Sequence, residues 1–170
     1  MDASVTDTNA LSASGSASNS LNLSAGGALT LGSVNVGAGG LTLAAGGAIS
    51  QTAAATVTGT TSATMNGNAN IDLGSFANDL TGKVSFNKGT GTVQNVSLWN
   101  SHSGATIGLP ANLNDLTLKL TGSGIALPAT NADILHHLQH ELGARLFGKL
   151  ATQALDDFIL IKKDGYPTYN

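Results

Sequence analysis

Two phrases in this chain are written twice, 20 residues apart. Leu21-Asn22-Leu23 followed by Gly26-Gly27-Ala28 returns as Leu41-Thr42-Leu43 followed by Gly46-Gly47-Ala48. In extended backbone such a triplet sends its apolar residues to one face and its polar residue to the other. A coil of about 20 residues cannot bury that apolar face alone. Stacking coil on coil, about 4.8 Å apart, pairs the backbones and closes a column of Leu, Val and Ile. Repeats of this length mark solenoids, so the echo constrains the fold more than any other feature.

Short alternating segments continue the theme. They are Leu21–Leu23, Ala28–Leu31, Val34–Val36, Leu41–Leu43, Ala48–Ser50, Thr56–Thr58, Ala69–Leu73, Lys83–Phe86, Val93–Leu98, Leu116–Leu120 and Ile125–Leu127. Between them lie "SAGG", "GAGG", "AAGG" and "NGN", where glycine is expected to supply positive φ and sharp turns. A second echo sets Asn78-Asp79-Leu80-Thr81 against Asn114-Asp115-Leu116-Thr117, 36 residues on. An antiparallel sandwich also shows turns every 8–12 residues. The segments are short for a sandwich, and residues 1–130 hold only Phe76, Phe86 and Trp99 as aromatics.

Composition decides between a solenoid and a low-complexity linker. Twenty-two glycines fit either, but 41 % hydrophobic residues in alternating triplets favour burial. Charged residues make up 10 % of the chain and the net charge is −3. Seven Lys and Arg without a run longer than Lys162-Lys163 offer no basic patch, so no nucleic-acid partner is expected. There are no cysteines, which excludes disulfides and thiolate metal sites. No apolar run reaches the roughly 18 residues of a membrane span. The start, "MDASVTDTNA", is not a signal peptide; an exported protein with this start is expected to be a piece of a longer precursor.

Residues 131–155 change period. Thr130-Asn131-Ala132-Asp133 supplies side-chain oxygens for an N-terminal cap. Leu135, Leu138, Leu142, Leu146 and Leu150 then make one apolar stripe of a helix. A helix there could lie across a solenoid end and block its strand edges. The remaining residues read as a strand, Phe158-Ile159-Leu160-Ile161, a turn at Asp164-Gly165 and an extended exit at Tyr166-Pro167.

The phrases "VTDTNAL" (5–11), "ALTLGSVNVGAGGLTLAAGGAISQTAAATVTGT" (28–60) and "ANDLTGKVSFNKGTGTVQNVSL" (77–98) resemble those of repetitive exoproteins of the filamentous haemagglutinin type. The resemblance implies an all-β, right-handed parallel β-helix (β-solenoid). It also implies secretion to the surface of a Gram-negative bacterium through an outer-membrane partner transporter, and a role in adhesion to host or neighbouring-cell molecules. The secretion domain that this class carries at its N-terminus is not visible in the sequence. The last phrase, "LDDFILIKKDGYPTYN" (155–170), resembles a segment of the catalytic domain of glutamyl-tRNA synthetases. No ATP-binding signature of that class accompanies it, so the phrase is either coincidence or a joined fragment and carries over no catalytic residue.

Chemistry is sparse. His136 and His140 stand at i, i+4 on the helix, a spacing that lets two imidazoles share a metal, with Glu141 or His102 as a third ligand. The plainer reading of "HHLQHE" is the polar face of an amphipathic helix, so no metal is assigned. Asp72, Asp79 and Asp156-Asp157 are too scattered for a catalytic carboxylate pair, which needs a separation of roughly 5–10 Å across a groove. The glycine pairs lack the Asp of calcium-binding repeats and the Lys-Ser/Thr of phosphate loops. One Thr-x-Thr unit, Thr56-Val57-Thr58, is not the array that ice binding needs.

The expectation is therefore a solenoid over 1–130 with a helix and tail over 131–170. It has no cofactor, no enzymatic activity and no identifiable contact residue. Its function is structural and adhesive. The alternatives are a composite or designed chain without an evolved function, and a β-helix enzyme acting on polysaccharide.

Overall fold

The computed structural model describes residues 1–102, 105–110, 113–121 and 157–162. The expected helix over 131–155, the Ile125–Leu127 strand and the turn at Asp164-Gly165 lie outside the described residues.

The described residues wind as a β-solenoid of six coils. Coil 1 holds β1 (Ala3–Asp7) and β2 (Leu11–Ala17), and coil 2 holds β3 (Ser20–Ala25) and β4 (Leu29–Val36). Coil 3 holds β5 (Gly40–Ala45), β6 (Ile49–Gln51) and β7 (Ala55–Val57). Coil 4 holds β8 (Thr61–Met65) and β9 (Ala69–Leu80), and coil 5 holds β10 (Val84–Lys88) and β11 (Val93–Asn100). Coil 6 holds β12 (Ile107–Gly108) and β13 (Asp115–Thr121), and β14 (Asp157–Lys162) follows.

The strands stack into two sheets. The first runs β1-β3-β5-β8-β10-β12, and the second β14-β13-β11-β9-β6-β4-β2 with β7 beside β4 and β9. Every coil-to-coil pairing is parallel, which excludes the antiparallel sandwich. The second sheet is bent. Leu29–Leu31 of β4 pairs with β6, whereas Val34–Val36 pairs with β7 and with Gly15–Ala17 of β2, so coils 1 to 4 are three-sided.

The 20-residue echo is the coil step itself: Leu21 stands opposite Leu41 and Leu23 opposite Leu43. The 36-residue echo is not a coil step. Leu80 stacks on Val57 at the third side, and Leu116 stacks on Val96 in the first arm of the second sheet. The same tetrapeptide thus serves two different places in the coil.

Inward positions form the core. Leu29, Leu31, Leu43, Met65, Leu98, Leu116 and Leu118 have no exposed surface. Each such side chain is worth about 1.5–3 kcal/mol on burial. Four strands escape the sequence reading: β1, β2, β8 and β12. Their segments, "ASVTD", "LSASGSA", "TSATM" and "IG", offer few large apolar residues. Their neighbours in the stack impose extended structure on them.

The glycines act differently from the expectation. Among the described residues only Gly15 and Gly40 have positive φ, so "SAGG" and "AAGG" are not left-handed turns. At the corner after the first sheet the chain passes through Gly26, Gly46, Gly67 and Gly91. A Cβ on these would overlap the carbonyl oxygens of Thr8, Gly26, Gly46 and Gly67, one coil below in each case. Glycine is required there because consecutive backbones approach too closely for any side chain.

Candidate functional surface

Alternation leaves the outward positions of the solenoid almost without charge. On the first sheet one column reads Ser4, Asn22, Thr42, Ser62 and Ser85. The next reads Thr6, Ser24, Ala44, Thr64 and Asn87. Rungs lie about 4.8 Å apart, and alternate residues along a strand about 6.7 Å apart. The result is a flat lattice of hydroxyl and amide groups. Asn87 Nδ2 donates to Ser62 Oγ at 2.9 Å, joining two rungs. The first arm of the second sheet shows Ser12, Thr30 and Ser50, then Asp72, Ser97 and Thr117. The third side shows Ser16, Asn35, Thr56 and Asp79.

Charged and aromatic groups gather on the later coils. Lys119 Nζ sits 3.4 Å from the centroid of the Trp99 ring, one coil below it, a cation–π contact. His102 Nδ1 lies 2.9 Å from Asp79 Oδ1, and both side chains are partly exposed. His102, a candidate third metal ligand, is thus engaged by a carboxylate of the preceding coil. Asp72 accepts from its own turn, from Gly74 N at 2.9 Å and more weakly from Ser75 Oγ at 3.5 Å. It stands on the first arm of β9 and Asp79 on the second, so the two serve separate contacts. Among the described residues no group of three His, Cys, Asp or Glu could hold a metal. The candidate ligands His136 and His140, with Glu141 and Asp156, lie outside the described residues.

Sequence reasoning missed a buried amide cluster behind this surface. Asn78 is 1 % exposed and all its polar capacity is used. Its Oδ1 accepts from Gln51 Nε2 and from Ala55 N, both at 2.9 Å. Its Nδ2 lies within bonding distance of Gln51 Oε1 and of the carbonyls of Leu73, Phe76 and Trp99. Asn100, opposite Asn78 in the ladder, accepts from Leu80 N at 2.9 Å and donates to Leu80 O at 3.1 Å. Its side-chain amide therefore imitates a strand and closes the third side. A faint signal existed: Asn78 interrupts the alternation of "FANDL" at an inward position.

A family model described as repeats of unknown function (DUF5649) matches residues 18–87. The matched region spans coils 2 to 4 and β10. Comparison with curated proteins and with solved structures finds no match.

Proposed function

We propose that this chain is a structural and adhesive segment of a large secreted bacterial surface exoprotein of the filamentous haemagglutinin type. Its winding is then right-handed, the hand that parallel crossovers take almost without exception. The longer protein would leave the cell through an outer-membrane partner transporter. Stacked coils would hold polar faces toward molecules of a host or neighbouring cell.

The observation that carries this reading is the outward face of the first sheet. Ten positions over five coils hold nine Ser, Thr or Asn residues and one Ala, with no charge and no aromatic group. A face like this gives many weak, directional hydrogen bonds and no single dominant anchor. Affinity would then come from multivalency rather than from one pocket. The haemagglutinin-type phrases support the same reading, and the repeat match over residues 18–87 speaks only for the repeat architecture.

Beads coated densely with the chain test it. They are expected to bind epithelial or bacterial cells at least ten-fold above beads carrying an unrelated β protein. Thr42→Lys with Ser62→Glu, placed on the outward face, should abolish that excess while far-ultraviolet circular dichroism stays unchanged. Equal binding by coated and control beads would sink the adhesive role. Binding that survives the double substitution would move it to another face.

A further inference from the structure

We propose that the edge of β13 is a strand-acceptor site that a second copy of this chain can fill by exchanging β14. Three observations converge there. First, β14 is the one antiparallel partner among the described strands, with six facing pairs from Leu116↔Lys162 to Thr121↔Asp157. It does not continue the winding but closes the last edge of the second sheet from outside. This is β-strand addition carried out within one chain. Second, 35 residues separate Thr121 from Asp157, whereas coil partners in the stack are only 18 to 25 positions apart. Loop-closure entropy grows with the length of chain to be closed, so a strand this far away in sequence is held at its own edge at a larger entropic cost than a coil partner is. Third, β14 of another copy offers the same backbone groups in the same register, so exchange forfeits no pairing, which makes it a low-cost route to a dimer. A net charge of −3 over 170 residues opposes the approach of two copies only weakly.

The absence of native cysteine makes the test clean. Thr117 and Ile161 are facing partners in the β13–β14 pair. Thr117→Cys and Ile161→Cys are made in separate chains, mixed at about 1 mM, a range in which free and linked partners compete, and oxidised after dilution. A disulfide heterodimer is expected on a non-reducing gel. The light-scattering mass of the wild type should rise toward a dimer over the same concentration range. The double variant, oxidised at micromolar concentration, should instead close within one chain. Ser62→Cys, on the far sheet, paired with Ile161→Cys reports random collision. Heterodimer no more abundant than in that control, with the double variant closing normally, would show that β14 never leaves its own chain. Failure of the double variant to close would show that β14 does not occupy the β13 edge. Either result overturns the proposal. Neither bears on the bead assay, which reads the opposite sheet.

Discussion

The earlier and later coils solve the same stacking problem by different means. From Leu21 to Leu41 to Thr61 the first sheet advances by 20 residues per coil; from Thr61 to Val84 to Ile107 it advances by 23. The shorter coils rest almost wholly on backbone pairing; a glycine at the corner, kept in coils 4 and 5 as well, lets the carbonyls stack. The longer coils must place extra residues. They do so with register shifts at Val93/Val96 and Leu98/Asn100, and with Asn78 and Asn100, whose amides take over bonds that a regular strand would make; Asn78 reaches back to Gln51 of coil 3. A side-chain amide carries the same donor and acceptor as a peptide group, so it can extend a ladder where the backbone has turned away. Regularity is therefore not needed for a closed solenoid; side-chain amides can satisfy backbone groups where the ladder is interrupted.

The sharpest way to break this contrast is at the glycine corner. Gly46→Ala drives a methyl group into the carbonyl oxygen of Gly26, which is backbone and cannot swing aside. A loss of about 3 kcal/mol is expected from such overpacking. Gly108→Ala, in coil 6, meets nothing closer than 3.5 Å and should change stability by less than about 0.5 kcal/mol. Urea melts of the two variants beside the wild type check both values. Equal effects would mean that corner glycines are tolerated turn residues rather than a steric requirement.

The irregular coils have their own weak point. Asn78→Ala leaves the amide of Ala55 and the Oε1 of Gln51 without their partner in the interior, while Gln51 Nε2 keeps the carbonyl of Ala53. A cost of about 2–3 kcal/mol follows from stranding buried polar groups. Asn78→Ala with Gln51→Leu should recover part of it, because one stranded partner goes too. A double-mutant cycle by urea melt measures the coupling. Strict additivity would show that the cluster is not a unit.

How far the sequence could be read follows the same division. The 20-residue echo was legible because a coil that repeats its backbone path repeats its letters: Leu21 and Leu41 occupy one column, and Gly26 and Gly46 one corner. The strand at Phe158–Ile161 was legible too, since four consecutive apolar residues suit a β edge, and it falls within β14. The Asn-Asp-Leu-Thr echo misled. Asn78 is buried as a strand substitute, whereas Asn114 is exposed and hands over to a new strand through its N–H to Gln94 O at 2.8 Å. Identical letters take different roles when coil length drifts. The reason for the corner glycines was also out of reach, because it depends on what lies one coil below. The surface was legible as polar, but which polar residues share a face depends on registers that steps of 18 to 25 residues hide.

One flaw sits inside the regular stack and offers a gain rather than a loss. Thr61 takes an inward place between Leu41 and Val84, 1 % exposed, and its Oγ1 has no hydrogen-bond partner. Thr61→Val keeps the shape and removes the stranded hydroxyl. It should raise stability by about 1 kcal/mol. A fall in the urea midpoint instead would mean that the hydroxyl finds a partner in solution.

The smallest effect is expected where the regular stack uses a charge. Asp2 joins coil 1 to coil 2 by accepting from Ser20 Oγ at 2.7 Å, Asn19 Nδ2 at 2.6 Å and Ser20 N at 3.2 Å. These bonds, that from the Ser20 hydroxyl foremost, lower its carboxyl pKa below the ordinary 3.8. A group with a depressed folded value stabilises the fold fully above its unfolded value and loses that contribution as pH falls through the folded one. The contribution from Asp2 is therefore intact above about pH 5, about one unit over its ordinary value, and fades below 3.8. The carboxylate is fully exposed, so the effect is a slight steepening of the acid limb. Asp2→Asn should flatten that limb between pH 4 and 2, and leave the Asn78→Ala loss at neutral pH untouched. If the acid limbs of wild type and Asp2→Asn superimpose, the bonds to Ser20 and Asn19 do not discriminate between carboxylate and carboxylic acid.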